Sequence, residues 1–122
     1  MGTRSGSDKI RKAIKLNPYH SLQAHYALFL DWFRQEEYER AYLETLNFRR
    51  PSFFWEPVAR AATFGQLGRY QEGKRAAEKL LKLKPEFPTR GRVLIGHYIK
   101  FEDIVERFMD GLRKSGLNVA DD

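Results

Sequence analysis

Three histidines, five serines and two adjacent glutamates are the residues of this 122-residue chain whose types could do chemistry. His20 and His25 are five apart, so on a helix they do not share a face as ligands at i and i+4 would, and His97 is distant. There is no cysteine, so there is no thiolate ligand, cysteine nucleophile or disulfide. The expectation is no metal and no cofactor, with the histidines on the surface or in packing. Ser5, Ser7, Ser21, Ser52 and Ser115 all fall at expected element ends. Helix capping accounts for Ser7, Ser21 and Ser52, because a serine oxygen accepts from the open N–H groups of a first turn. No Gly-x-Ser-x-Gly elbow or phosphate loop is present. Glu36-Glu37 and Asp121-Asp122 are adjacent carboxylates in a turn and a tail, without the enclosed setting that general acid–base work needs. The chain itself is therefore expected not to be an enzyme.

Around these residues the sequence is helical throughout. Gly73, Ala76, Ala77, Leu80 and Leu81 recur at i, i+3, i+4, i+7 and i+8, with Lys74, Arg75, Glu78, Lys79 and Lys82 on the other side. Gly68-Arg69-Tyr70 breaks the helix before this stripe, and Pro85 ends the one after it, since proline cannot donate the next backbone bond. The unit is helix, tight turn, helix, stop. Gly73 is small enough to let two helices approach, with Tyr70 plugging the gap between them. The unit recurs: Pro18, Pro51 and Pro85 are 33 and 34 residues apart, and Tyr38 and Tyr70 are 32 apart. Pro18 to Tyr38 is 20 residues against 19 for Pro51 to Tyr70, and Tyr38 to Pro51 is 13 against 15 for Tyr70 to Pro85. The middle copy should thus have a slightly longer first helix and a second helix shorter by about two residues.

The stretch Gly68-Arg69-Tyr70, the small residues Gly73, Ala76 and Ala77, and the closing Leu83-Lys84-Pro85 resemble a tetratricopeptide repeat (TPR). Ala61 and Phe64 fit the first half of that pattern, while Pro57 and Arg60 depart from it. The resemblance implies an all-α, right-handed superhelix of antiparallel helix pairs, with about seven helices and no sheet. Residues 1–7 read as a flexible leader, 8–117 as the helical domain with capping helices over about 88–117, and 118–122 as a frayed, disordered acidic tail. The expected helices cover about 8–16, 21–33, 37–49, 54–67, 71–84, 89–99 and 101–115. The inward sides carry Tyr38, Ala41, Tyr42, Thr45, Leu46 and Phe48 in the third, Val93, Leu94, Ile95 and Tyr98 in the sixth, and Phe101, Ile104, Val105, Phe108, Met109 and Leu112 in the last. Gly116 suits a left-handed cap, with Leu117 folding back. The first of these helices lacks its partner, which suggests a repeat array cut from a longer protein.

In the TPR family the first helix of each repeat lines a concave groove that takes a peptide. The resemblance implies that Gln23, Tyr26, Leu30, Phe33 and Arg34 face it, followed by Trp55, Val58, Ala62 and Gln66, then Arg92 and Lys100. Packing between repeats is the alternative role for any one of the aromatic residues, and self-association through the open end of the array is the alternative for the whole. Tyr26 and Leu30 stand where chaperone-binding members carry Lys and Asn, so a carboxylate clamp is not implied.

The Leu16-Asn17-Pro18-Tyr19-His20 start, Phe53-Phe54-Trp55, Phe101-Glu102-Asp103 and the ending Gly111-Leu112-Arg113-Lys114-Ser115-Gly116-Leu117 are similar to the C-terminal TPR regions of bacterial proteins with an upstream class III adenylyl or guanylyl cyclase domain or a winged-helix DNA-binding domain. That likeness implies a scaffold or adaptor segment of a cytoplasmic signalling protein, with a protein or peptide partner. The net charge of +6 favours anionic partners weakly. Nucleic acid is disfavoured, since the Lys-rich helix and the aromatic residues fall on different surfaces. No apolar run approaches the length of a membrane span.

Overall fold

The computed structural model describes residues 21–48, 54–97 and 99–120. The expected leader, the helix over 8–16, the stops at Pro18 and Pro51, Tyr98, and Asp121-Asp122 lie outside them. The described residues form six helices and no strand. The chain divides into two compact units, Met1–Arg50 and Pro51–Asp122.

In the first unit, α1 (Ser21–Arg34) and α2 (Tyr38–Thr45) form an antiparallel hairpin. Leu28, Phe29, Trp32 and Phe33 are buried, as is Phe48 beyond α2. The rings interlock edge to face, Tyr26 on Phe48 at 4.6 Å and Phe33 on Tyr38 at 5.1 Å between centroids, the arrangement that places ring edge on ring face. At the turn Glu36 is left-handed (φ 61°). Its N–H donates to the Phe33 carbonyl, and the Glu37 N–H donates to that of Trp32. This is a Schellman closure with glutamate in the usual glycine position.

Helix α2 is far shorter than the 37–49 span expected. Leu46, Asn47 and Phe48 each donate to the carbonyl three residues back, and the Thr45 hydroxyl donates to the Tyr42 carbonyl at 2.6 Å. These tighter bonds wind the helix down at Thr45. The first helix of this copy is longer by one residue than that of the next, 14 against 13, and the second helix is 8 against 14. The imbalance has the expected direction and is larger than the spacing implied. Leu46, expected inward, is exposed together with Leu43.

The second unit holds α3 (Trp55–Leu67), α4 (Tyr70–Leu83), α5 (Phe87–Gly96) and α6 (Glu102–Lys114). Pro57 lies in the first turn of α3, where its missing N–H costs no helical bond. The α3–α4 turn repeats the α1–α2 turn. Gly68 is left-handed (φ 77°), its N–H donates to the Gly65 carbonyl, and the Arg69 N–H donates to that of Phe64. Even the residue before each second helix matches, with φ and ψ of −88° and 67° at Glu37 and −89° and 66° at Arg69. Gly116 closes α6 the same way, and Leu117 folds back buried, as the sequence leads one to expect.

Five expectations are corrected in this unit. Tyr70 is 55% exposed and plugs no gap; the space beside Gly73 is filled by Ser115 and Phe64. Helix α5 starts at Phe87, with Pro88 inside its first turn rather than ahead of it, and Val93 faces out. Phe101 precedes α6 in an extended conformation and is exposed. The segment after α6 is not frayed over 118–120: Val119 is buried, Arg113 donates to its carbonyl, and the Ala120 N–H donates to the Pro88 carbonyl at 2.8 Å.

Candidate interaction site

The residues expected to line a groove separate into three groups. In the first unit Phe33 is fully buried, Tyr26 and Leu30 are half-buried, and Arg34 is exposed with its guanidinium 3.5 Å from Asp31. The Gln23 side chain is outside the described residues. A short stripe on α1, Tyr26–Leu30–Arg34 at i, i+4 and i+8, therefore keeps partial access to solvent.

In the second unit the expected groove is filled by the chain itself. Trp55, Val58 and Ala62 are buried, at 1%, 0% and 0%. Trp55 stacks on Phe108 of α6, ring planes 10° apart and centroids 5.7 Å apart. At Gly65 and Gly111 the backbones of α3 and α6 touch: a Cβ on Gly111 would stand 2.1 Å from the Ala62 carbonyl oxygen. Gln66 donates to the Arg107 carbonyl at 2.8 Å and to Asp110 at 3.1 Å, and accepts from Lys114. Ser115 closes the lower end, donating 2.6 Å to the Ala61 carbonyl. A side chain must be small to reach that carbonyl, because Gly73 lies directly behind it. Helix α6 thus occupies the face of α3 that the repeat resemblance assigns to a partner. Sequence reasoning missed this because its signal is a pair of glycines 46 residues apart, each unremarkable alone.

Arg92 forms the third group. It is bonded to both Glu102 and Glu106 of α6, and the Glu106 bond holds its guanidinium above the ordinary arginine range. Lys100 donates to the Gly96 carbonyl. Both tie the α5–α6 connection together.

Several other polar groups are similarly engaged. His25 Nδ1 lies 2.8 Å from Glu44, a pair that joins α1 to α2. The buried Glu56 accepts from Arg60 at 2.9 Å and from Lys79 at 3.4 Å. The Lys114 bond, with a smaller contribution from Gln66, holds the Asp110 carboxyl below its ordinary value. The Arg69 bond does the same for Glu72. Among the described residues no three His, Asp or Glu side chains gather as a metal site would require, and no helix is long and apolar enough to cross a membrane.

Against known proteins, the chain matches no family model, and no curated protein or solved structure matches it significantly.

Proposed function

We propose that this chain is a non-catalytic protein–protein interaction module of the TPR type, the scaffold segment of a larger bacterial, cytoplasmic signalling or regulatory protein. The observation that carries the reading is the pair of identically bonded helix turns at Glu36-Glu37 and Gly68-Arg69, 32 residues apart, each followed by a tyrosine that opens the second helix. Repetition of one supersecondary unit at about the length of a TPR is how helical repeat proteins extend a surface. Because α6 covers Trp55, Ala62 and Gln66, and Val58 is buried, the groove reading narrows to the Tyr26–Leu30–Arg34 stripe of α1. The test is capture from a bacterial lysate on the immobilised chain, compared with a Tyr26→Ala/Arg34→Ala variant of unchanged circular dichroism. A discrete protein retained by the parent and lost by the variant is expected. Identical retention by both would remove the stripe from the reading.

A second reading, self-association that would dimerise an upstream cyclase or DNA-binding domain, draws on one observation. Leu43 and Leu46 are 56% and 52% exposed and stand three residues apart on the same side of the chain. Sedimentation velocity over a concentration series, on the parent and on Leu43→Glu/Leu46→Glu, checks it. A mass that rises with concentration only in the parent supports it; a monomer throughout refutes it.

A further inference from the structure

Cations in the second unit differ in what they face: Lys79 on α4 pairs with Glu56, Lys84 lies over the Phe54 ring, and Lys100 and Arg113 donate to backbone carbonyls. Arg60, Arg69, Arg92, Arg107 and Lys114 each lie against a carboxylate of the same unit. Lys74, Arg75 and Lys82 stand exposed on the outer side of α4, and no carboxylate among the described residues lies within ion-pair distance of them. Glu78 is the one acidic residue between them, and Tyr70 adds an exposed ring at the start of the same helix.

We propose that this outer face of α4 docks an acidic peptide segment of a partner protein. The proposal rests on the interaction reading above and names the partner's chemistry. Lys74 and Lys82 are eight residues apart, which on a helix is about 12 Å. Two carboxylates four residues apart in an extended peptide point to the same side and span about the same distance, at about 3.3 Å per residue. They would meet the two lysines on either side of Glu78, which lies between these on the same helix face and would be crossed by an uncharged residue of the peptide, with Arg75 giving a forked third contact and Tyr70 taking an apolar residue at one end. A nucleic-acid strand fits less well. Its evenly spaced phosphates would run over Glu78, and one exposed tyrosine gives no series of rings for stacking.

The test uses the whole chain and fluorescence anisotropy. The probe is a short labelled peptide with a glutamate at every fourth position and one leucine. The comparators are the same peptide with glutamine in place of glutamate and a single-stranded oligonucleotide of equal charge. The acidic peptide should bind at low salt and weaken as salt rises. The glutamine peptide, and the acidic peptide on Lys74→Glu/Arg75→Glu/Lys82→Glu, should each bind about tenfold more weakly or worse, the size expected for losing two or three exposed charge pairs. Arg90→Glu, a reversal on α5, should leave binding within about twofold. Unchanged circular dichroism shows that the variants are folded. Equal binding to parent and triple variant, no binding of the acidic peptide, or tighter binding of the oligonucleotide would each overturn the proposal. None of these results bears on lysate capture through α1, so the interaction reading is judged separately.

Discussion

Gly65 and Gly111 are in backbone contact: a Cβ on Gly65 would lie 1.9 Å from the Gly111 carbonyl oxygen. The obstacle is backbone on both sides, so no rotamer change relieves it. Either Gly65→Ala or Gly111→Ala must push α3 and α6 apart, at a cost of about 2 kcal/mol or more. Gly96 meets nothing within 4 Å at the end of α5 and is not left-handed. There alanine should be neutral or stabilising by up to about 1 kcal/mol. Urea denaturation followed by circular dichroism separates the two outcomes; equal midpoints for all three variants would refute the crossing.

Glu36 and Gly68 hold the same left-handed position with opposite residue choices. Glu36→Gly should raise stability by about 0.5–1 kcal/mol, since a side chain in that region costs about 1–2 kcal/mol and glycine returns part of that as unfolded-state freedom. Gly68→Ala should lower it by about 1 kcal/mol, although nothing stands near its Cβ. Thermal melts of both variants should shift in opposite directions.

Trp55 and Phe108 join the start of α3 to the middle of α6. Each truncated to alanine should cost about 3–5 kcal/mol, the range for large buried aromatic residues. The double variant should fall short of the sum by about 0.5–1.5 kcal/mol, the coupling expected of a ring pair. Additive losses in a double-mutant cycle would mean that the stack adds nothing beyond burial.

Ser115 supplies a buried hydroxyl whose partner is a helix carbonyl. Ser115→Ala should cost about 1 kcal/mol. Ser115→Val should cost more, because the space behind it is already closed by Gly73 and Phe64. Equal stability of the two variants in denaturant would count against that packing.

Among the described residues, Asp110 is one of two carboxyls, with Glu72, that the fold holds below their ordinary values. Its folded value lies below the ordinary 3.8, chiefly through the Lys114 bond. A lowered carboxyl favours the folded state above the unfolded value, and that contribution is lost as pH falls through the folded value. The stability advantage of the parent over Asp110→Asn should therefore be full at neutral pH and shrink below about pH 4. Because the side chain is half exposed, added salt should reduce the advantage at every pH. Melts at several pH values check the sign, and a difference that grows on acidification would contradict it.

The sequence by itself determined what depends on near neighbours. The apolar period of α4 and of most of α6, the glycine cap at Gly116, and the break at Gly68-Arg69-Tyr70 are all legible, because each is decided within one or two helical turns. The order of helices follows, and so does the recurrence of the hairpin. Tertiary structure decided which face of each helix meets what. Trp55, Val58 and Ala62 read equally as groove or core, and become core because α6 returns to α3 and crosses it at two glycines far apart in the chain. Tyr38 and Tyr70 occupy the same place in the repeat, yet Tyr38 packs on Phe33 while Tyr70 is exposed, Ser115 and Phe64 having closed the space beside Gly73. A helix period marks an apolar stripe but not its covering. The covering depends on backbone approach between residues tens of positions apart, which no local pattern encodes.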